Sequence, residues 1–221
     1  MKIVTLVLLL SFSCCYGVYS NQLHAEKRNP PQHLTELVAA IHMPPQFTAK
    51  VIYTHRNATE EILYLEGDIW VKANKYRLRL EDQIVVSNGE TLWNYIPSLQ
   101  EVQICDDIAP DAAVNMETFS PIQLLQLYKH GFTPITWYTS TTAQAPCYII
   151  NFIPTKQQPN VKQLSLHIDA KTYQINNIQL IANDQAVHQF DIMHLTLMKN
   201  VKDEDFEFQI PTDCQEIIDL R

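Results

Sequence analysis

Near the middle of the chain, Ile84-Val85-Val86-Ser87-Asn88-Gly89-Glu90-Thr91-Leu92-Trp93 sets Asn-Gly between two apolar stretches. This is the strongest short hairpin signal a sequence can carry, because both central residues of a type I′ turn need positive φ. A turn centred on Asn88-Gly89 sets Ile84 opposite Trp93 and Val86 opposite Thr91. The next connection, Pro97-Ser98-Leu99-Gln100, sets Tyr95 opposite Val102 and Trp93 opposite Ile104. Side chains alternate along a strand, so both registers give one result. Ile84, Val86, Trp93, Tyr95, Val102 and Ile104 share an apolar face, while Val85, Ser87, Glu90, Asn94, Glu101 and Gln103 share a polar one. The preceding strand alternates Tyr76, Leu78 and Leu80 against Arg77, Arg79 and Glu81, and its apolar residues are assigned to the same greasy side.

The period of two runs from Phe47 onward. Strands are expected near 47–55, 61–72, 75–81, 83–87, 91–96 and 101–106, then 147–153, 163–168, 173–181, 186–198 and 205–210. Two helices interrupt this pattern. Leu34, Leu37, Val38 and Ile41 fall at helical spacing before Met43-Pro44-Pro45. Ser120-Pro121-Ile122-Gln123 has capping-box spacing with proline at the first helical position, Phe119 and Leu124 are placed for a hydrophobic staple, and Gly131 ends the run. The expected fold is mainly β with a few helices, about eleven antiparallel strands in one domain spanning 21–221. From pattern alone, an apolar face of this kind is most simply the core of a sandwich.

The chain opens with Met1-Lys2, a run from Ile3 to Leu10 that is apolar but for Thr5, and small and moderately apolar residues up to Ser20. Residues 1–20 read as a cleaved signal peptide, cut after Ser20, with Gly17 and Ala25 as tolerable alternatives. The residues before Cys14 and Cys15 do not form a lipoprotein signal. No later segment has the roughly 20 apolar residues a spanning helix needs, so an exported, soluble protein is expected. Loss of Lys2 takes the formal charge from −8 to −9, which argues against nucleic acid, whose phosphates require clustered lysine and arginine. Cys105, Cys147 and Cys214 leave one disulfide plus a thiol, or three thiols, equally open.

Signals for chemistry are few. His188 and His194, among eight scattered histidines, lack a third ligand at useful spacing. Asn57-Ala58-Thr59 is a sequon that bacterial export would leave idle, and Asp106-Asp107 with Asp111 lacks the spacing and glycine of an EF-hand. No nucleophile elbow, phosphate loop, dinucleotide fingerprint or zincin motif occurs, and only four glycines are available for phosphate cradles. No cofactor, no metal and no catalytic residue is assigned, and the expectation is a binding protein.

Gly67-Asp68-Ile69-Trp70-Val71-Lys72, followed by Asn88-Gly89-Glu90-Thr91-Leu92-Trp93-Asn94-Tyr95 with Pro97, Gln100 and Val102, resembles the outer-membrane lipoprotein carrier family of periplasmic chaperones. The likeness runs in order from the first helix through Asp169-Ala170-Lys171 to Phe206-Glu207-Phe208, Pro211 and Asp219-Leu220-Arg221. It implies a half-open antiparallel barrel with a helical lid over an apolar cavity. It also implies a periplasmic role: taking lipoproteins from an inner-membrane ABC transporter, shielding their acyl chains, and delivering them to the outer membrane, where a receptor completes the route in some systems. On that reading Tyr76, Leu78, Leu80, Ile84, Val86, Trp93, Tyr95, Val102 and Ile104 line the lipid cavity. Leu34, Leu37, Val38, Ile41, Leu124, Leu125 and Tyr128 form the lid, and the carrier is a monomer. Many members hold the lid with an arginine before proline; here the ungapped match is Ala73-Asn74, and a one-residue gap puts Lys72 in its place. A half-barrel module for another amphiphile, in glycolipid binding or envelope-stress sensing, is the alternative, and a secreted hydrolase the third reading.

Overall fold

Alternation in the first half of the chain becomes six consecutive strands: β1 (Gln46–Arg56), β2 (Ile62–Lys72), β3 (Lys75–Leu80), β4 (Gln83–Ser87), β5 (Thr91–Ile96) and β6 (Glu101–Asp106). The computed structural model describes residues 32–221 except 58, 60, 61, 110, 116–119, 143 and 144. The leader with its cleavage site, and Phe119 of the expected staple, lie outside the described residues. The second half supplies β7 (Phe132–Thr142), β8 (Ala145–Pro154), β9 (Val161–Asp169), β10 (Ile175–Ala182), β11 (Val187–Leu197) and β12 (Glu216–Asp219). These form one sheet in the order β12-β6-β5-β4-β3-β2-β1-β11-β10-β9-β8-β7, which does not close on itself. It is a half-open barrel, antiparallel throughout except for the β12–β6 pair.

The sheet wraps around two short helices, α1 (Gln32–Ala40) and α2 (Pro121–Gln126). The Ser120 side chain accepts the amide of Gln123 at 3.0 Å and so caps α2. The reciprocal half of the capping box is not formed, since Gln123 Nε2 donates instead to the Ala112 carbonyl at 3.1 Å. On one side of α2, Ile122 packs with Phe47, Ala49, Ile69, Val71 and Tyr76. On the other, Leu124 joins Leu34, Leu37 and Ile41 of the α1 region over Ile150, Phe152, Leu164, Leu166 and Ile178. One six-residue helix thereby stands on both walls of the curved sheet, and the Tyr128 hydroxyl ties the following turn to the Ile41 carbonyl at 3.3 Å. At Gly67 on β2 a Cβ would sit 2.2 Å from the Arg79 carbonyl oxygen, so β3 leaves room there for glycine alone.

Three expectations are corrected. The hairpin turn is centred on Gly89-Glu90 rather than Asn88-Gly89, so Ile84 lies opposite Tyr95 and Val86 opposite Trp93. Gly89, with φ of 92°, stands at the first central position, and the Asn88 side chain accepts the amides of Glu90 and Thr91. The register moves by two residues, which keeps every side chain on its face. The strand expected at 205–210 is instead a 3₁₀ turn, Asp203–Phe206, followed by extended chain, while β7 and β12 were not anticipated.

The third correction bears on function. Leu80 pairs with Gln83 across the tight Glu81-Asp82 turn, so Leu78 lies opposite Val85 and Tyr76 opposite Ser87. The inward face of β3 therefore continues through Val85 and Leu92. Ile84, Val86, Trp93, Tyr95, Val102 and Ile104 lie on the outer face. There Tyr95, Val102 and Ile104 form a separate apolar cluster closed by Phe208 and Cys214 of the C-terminal segment. The sheet has apolar surface on both sides at this end, and the chain's own tail covers the outer one.

Candidate apolar binding site

An apolar recess of about 240 Å³ opens on the inner face beside the N-terminus of α2. Its floor is Val51 and Tyr53 from β1, Leu65 and Ile69 from β2, Leu78 and Leu80 from β3, and Gln83 and Val85 from β4, with Phe190 and Pro121 at its walls. A further gap of about 30 Å³ continues it beneath Leu124 and Leu125 toward Phe47, Ile178 and Ile192. Inward residues of neighbouring strands thus make one apolar trough, and α2 sits over its middle.

Of the nine residues expected to line a cavity, Leu78 and Leu80 lie in the recess. Tyr76 is buried beside it among Phe47, Ile69 and Val71. Ile84, Val86, Trp93, Tyr95, Val102 and Ile104 are on the opposite face and cannot reach it. Val51, Tyr53, Leu65, Ile69, Val85 and Phe190 were missed, although parity counted outward from Ile69 of the Gly-Asp-Ile-Trp motif would have found them. Leu34, Leu37, Ile41, Leu124 and Tyr128 are buried, with Val38 and Leu125 packed beside them, all on the inner side where a lid would lie. Lys72 is on the outer face: its ammonium donates to the Val201 carbonyl at 2.7 Å and pairs with Asp203 at 2.7 Å, pinning the C-terminal segment. From there it does not latch the helices.

A larger cleft of about 700 Å³ lies on that outer face, between Trp70 and Arg77 and the segment Met198–Gln209. Trp70, Met198, Val201, Phe206 and Phe208 share its lining with Arg77, Lys199, Glu204, Asp205 and Glu207, so charge interrupts its apolar surface. Cys105, Cys147 and Cys214 are not bridged to one another. Among the described residues no three metal-ligating side chains converge. His194 is exposed on a strand irregularity with φ of 54°, and His188 pairs with His55 instead.

That histidine pair is the next inward row after Tyr53 and Phe190. His55 and His188 are cross-strand partners with rings stacked 4.5 Å apart, and the Tyr53 hydroxyl and His188 Nδ1 share a hydrogen bond of 2.9 Å. Burial pushes the Tyr53 phenol up to about 12. Burial, then the neighbouring His55, push the His188 imidazole down to about 4. His188 is therefore neutral when folded but titrates near 6.5 when unfolded. Its contribution to stability is complete above about pH 6.5 and is lost as pH falls through the interval toward 4, where the unfolded chain takes up the proton first. Melting temperatures recorded from about pH 7.5 to about pH 4.5 should fall more steeply for the native chain than for His188→Phe; parallel curves would contradict this.

Residues 57–184, more than half of the chain, match the family described as outer membrane lipoprotein carrier protein LolA. The chain belongs to this family. No curated protein matches it. Among solved structures, an uncharacterized conserved protein from Thermus thermophilus superposes with a TM-score of 0.55 at 9% identity, over 85% of this chain and 99% of the other. The LolA superfamily protein NE2245 from Nitrosomonas europaea gives 0.44 at 10% identity, over 82% and 99%. In the complex structure of Pseudomonas aeruginosa MucA/MucB the values are 0.46 and 19%, over 83% and 62%. Of these three, the Thermus protein bears on the fold, and it supports the architecture described above. Among the described residues of this LolA-family chain, no helix is long and apolar enough to cross a membrane.

Proposed function

We propose that the protein is exported through its leader at 1–20, and that the single domain 21–221 carries lipoproteins through the periplasm by taking their acyl chains into the trough beneath α2. The observation that supports this most is an apolar recess left vacant on the inner face, in a chain of the carrier family, under a helix too short to be stable without its packing. Ligand pockets usually span about 300 to 1,000 Å³. At about 240 Å³ the recess is a closed state, and loading requires α2 to lift. Withdrawal of Ile122, Leu124 and Leu125 would add Phe47, Ala49 and Val71 to the available surface. Each methylene then transferred from water contributes about 0.8 kcal/mol, so hydrocarbon of ordinary length offsets the loss of α2 packing. On this reading Leu78 and Leu80, with Val51, Leu65, Ile69 and Val85, contact the cargo. α1 and α2 act as lid, and the donor and acceptor are an inner-membrane ABC transporter and an outer-membrane receptor or membrane. The work is binding and release, with no bond made or broken.

Native mass spectrometry of the chain purified from its own periplasm tests the proposal. The expected adduct is an acylated protein. Free lipid without protein would instead favour a module for another amphiphile, and a bare chain at every lipid load would overturn carriage altogether.

A further inference from the structure

The trough is apolar along its length but polar at one end, and that end has no role in shielding hydrocarbon. Tyr53 and His55 of β1 face inward opposite Phe190 and His188 of β11. Their flanking cross-strand partners are leucines: Leu65 and Leu63 on β2, and Leu180 on β10. Tyr53 stacks on Phe190 at 4.6 Å and lines the recess, while its hydroxyl meets buried His188, over which the half-buried His55 lies. Two imidazoles and a phenol are costly to place in a wall that leucine would fill, since each must be desolvated. Their position, where the hydrocarbon floor ends, gives that cost a use.

We propose that Tyr53, His55 and His188 form a head-group site for the amphiphile whose acyl chain lies along Val51, Ile69, Leu78 and Val85, and that this site selects a neutral, oxygen-rich head such as a glyceryl ester. The inference rests on the acyl-binding reading of the trough. Neutral imidazole and phenol each donate and accept, which suits ester carbonyls and free hydroxyls. Burial holds His188 neutral, so it brings no cation to the site. Besides the neighbouring His55, the charge that acts on His188 is Asp184 of the nearby turn, an anion that a carboxylate or phosphate head would meet. Tyr53 and His55 meet the head; His188 is a positioning residue that holds the phenol.

The test compares three probes on the delipidated full chain: monolauroylglycerol, laurate, and diphenylhexatriene, a hydrocarbon with no head. Tyr53→Phe and His55→Phe should each weaken monolauroylglycerol about tenfold, the effect of one hydrogen bond, and His55→Phe, at a position outside the recess lining, should leave diphenylhexatriene unchanged. Monolauroylglycerol, but not diphenylhexatriene, should shift the imidazole ¹⁵N resonances of His55 and His188. Equal binding of the glyceride by native and variant chains would overturn the head-group site while the trough reading stands. Tighter binding of laurate than of the glyceride would overturn its neutral selectivity. If neither diphenylhexatriene nor glyceride binds, the trough reading itself falls, and the head-group site with it.

Discussion

A glutamate in place of Leu78 should leave a cooperatively folded protein that no longer takes up acyl cargo, whereas the same residue at Val102 should leave no folded protein. Leu78 is half-buried at the recess, where a carboxylate can turn toward water yet still spoils the dry wall that hydrocarbon requires. Val102 is fully buried between Tyr95 and Ile104 under the C-terminal segment. An unpaired charge there costs several kcal/mol, set against a total stability of about 5 to 15 kcal/mol. Urea unfolding followed by circular dichroism, together with extraction of bound lipid, separates the two. Intact cargo uptake by Leu78→Glu would remove the recess from the binding site, and a stable Val102→Glu chain would show that the outer face is not a packed core.

The contrast between these residues marks where the sequence was legible and where it was not. Strand positions in the first half were readable to within a residue or so, because alternation is a local property and the turns carry their own chemistry. The hairpin register around Gly89 is two residues away from the expected one without harm, since only odd shifts exchange faces. Assignment of faces failed at a single point, Glu81-Asp82, where the two-residue connection puts Leu78 opposite Val85 and so separates Tyr76, Leu78 and Leu80 from the six residues that follow. Counting across that turn would have given the correct face. What no count within the sheet reveals is that β4 to β6 carry a covered apolar stripe on the outer face, while inward only Val85 and Leu92 continue the floor beside the polar row Gln83, Asn94, Gln103 and Glu101. The outer stripe is covered by a tail about a hundred residues later in sequence, and Phe206 and Phe208 signal burial without saying against what. β7 was missed for a related reason: Phe132–Thr142 contains a proline and a run of threonine and serine, and its strand character comes from pairing with β8 at the sheet edge.

The relocation of Lys72 changes how lid control is to be understood in this chain. With Lys72 and Lys75 both paired to Asp203 on the outer face, the cation that gap placement offers as a latch is committed to the tail. On the proposed carrier reading, the seat of α2 rests instead on what it and the turn after it bury, on the Ser120 cap, and on the Tyr128 to Ile41 hydrogen bond. Apolar packing of this kind is weakened when hydrocarbon competes for the same surface, so that reading needs no separate trigger to displace the helix.

Phe206→Ala should be the most destabilising single truncation in the tail, at about 3 to 5 kcal/mol. Phe206 is 1% exposed and ends the Asp203–Phe206 turn, and the chain is gripped on both sides of it. Arg77 donates to the carbonyls of Asp205 at 3.3 Å and Glu207 at 3.4 Å, while Lys72 and Lys75 hold Asp203. The exposed Asp203 pairs contribute little by themselves, so the aromatic ring is the anchor, and its loss should free Phe208 and β12 from the outer face. Apolar surface around Tyr95, Val102 and Ile104 would then be open to water. The expected signs are a lower urea midpoint, increased binding of an apolar dye and self-association with rising concentration. Uptake of acyl probes per folded molecule should persist, because the recess is on the other side of the sheet. A loss below about 1 kcal/mol would mean that the tail is held mainly by its polar contacts and β12 pairing, and that the outer apolar stripe is stable without it.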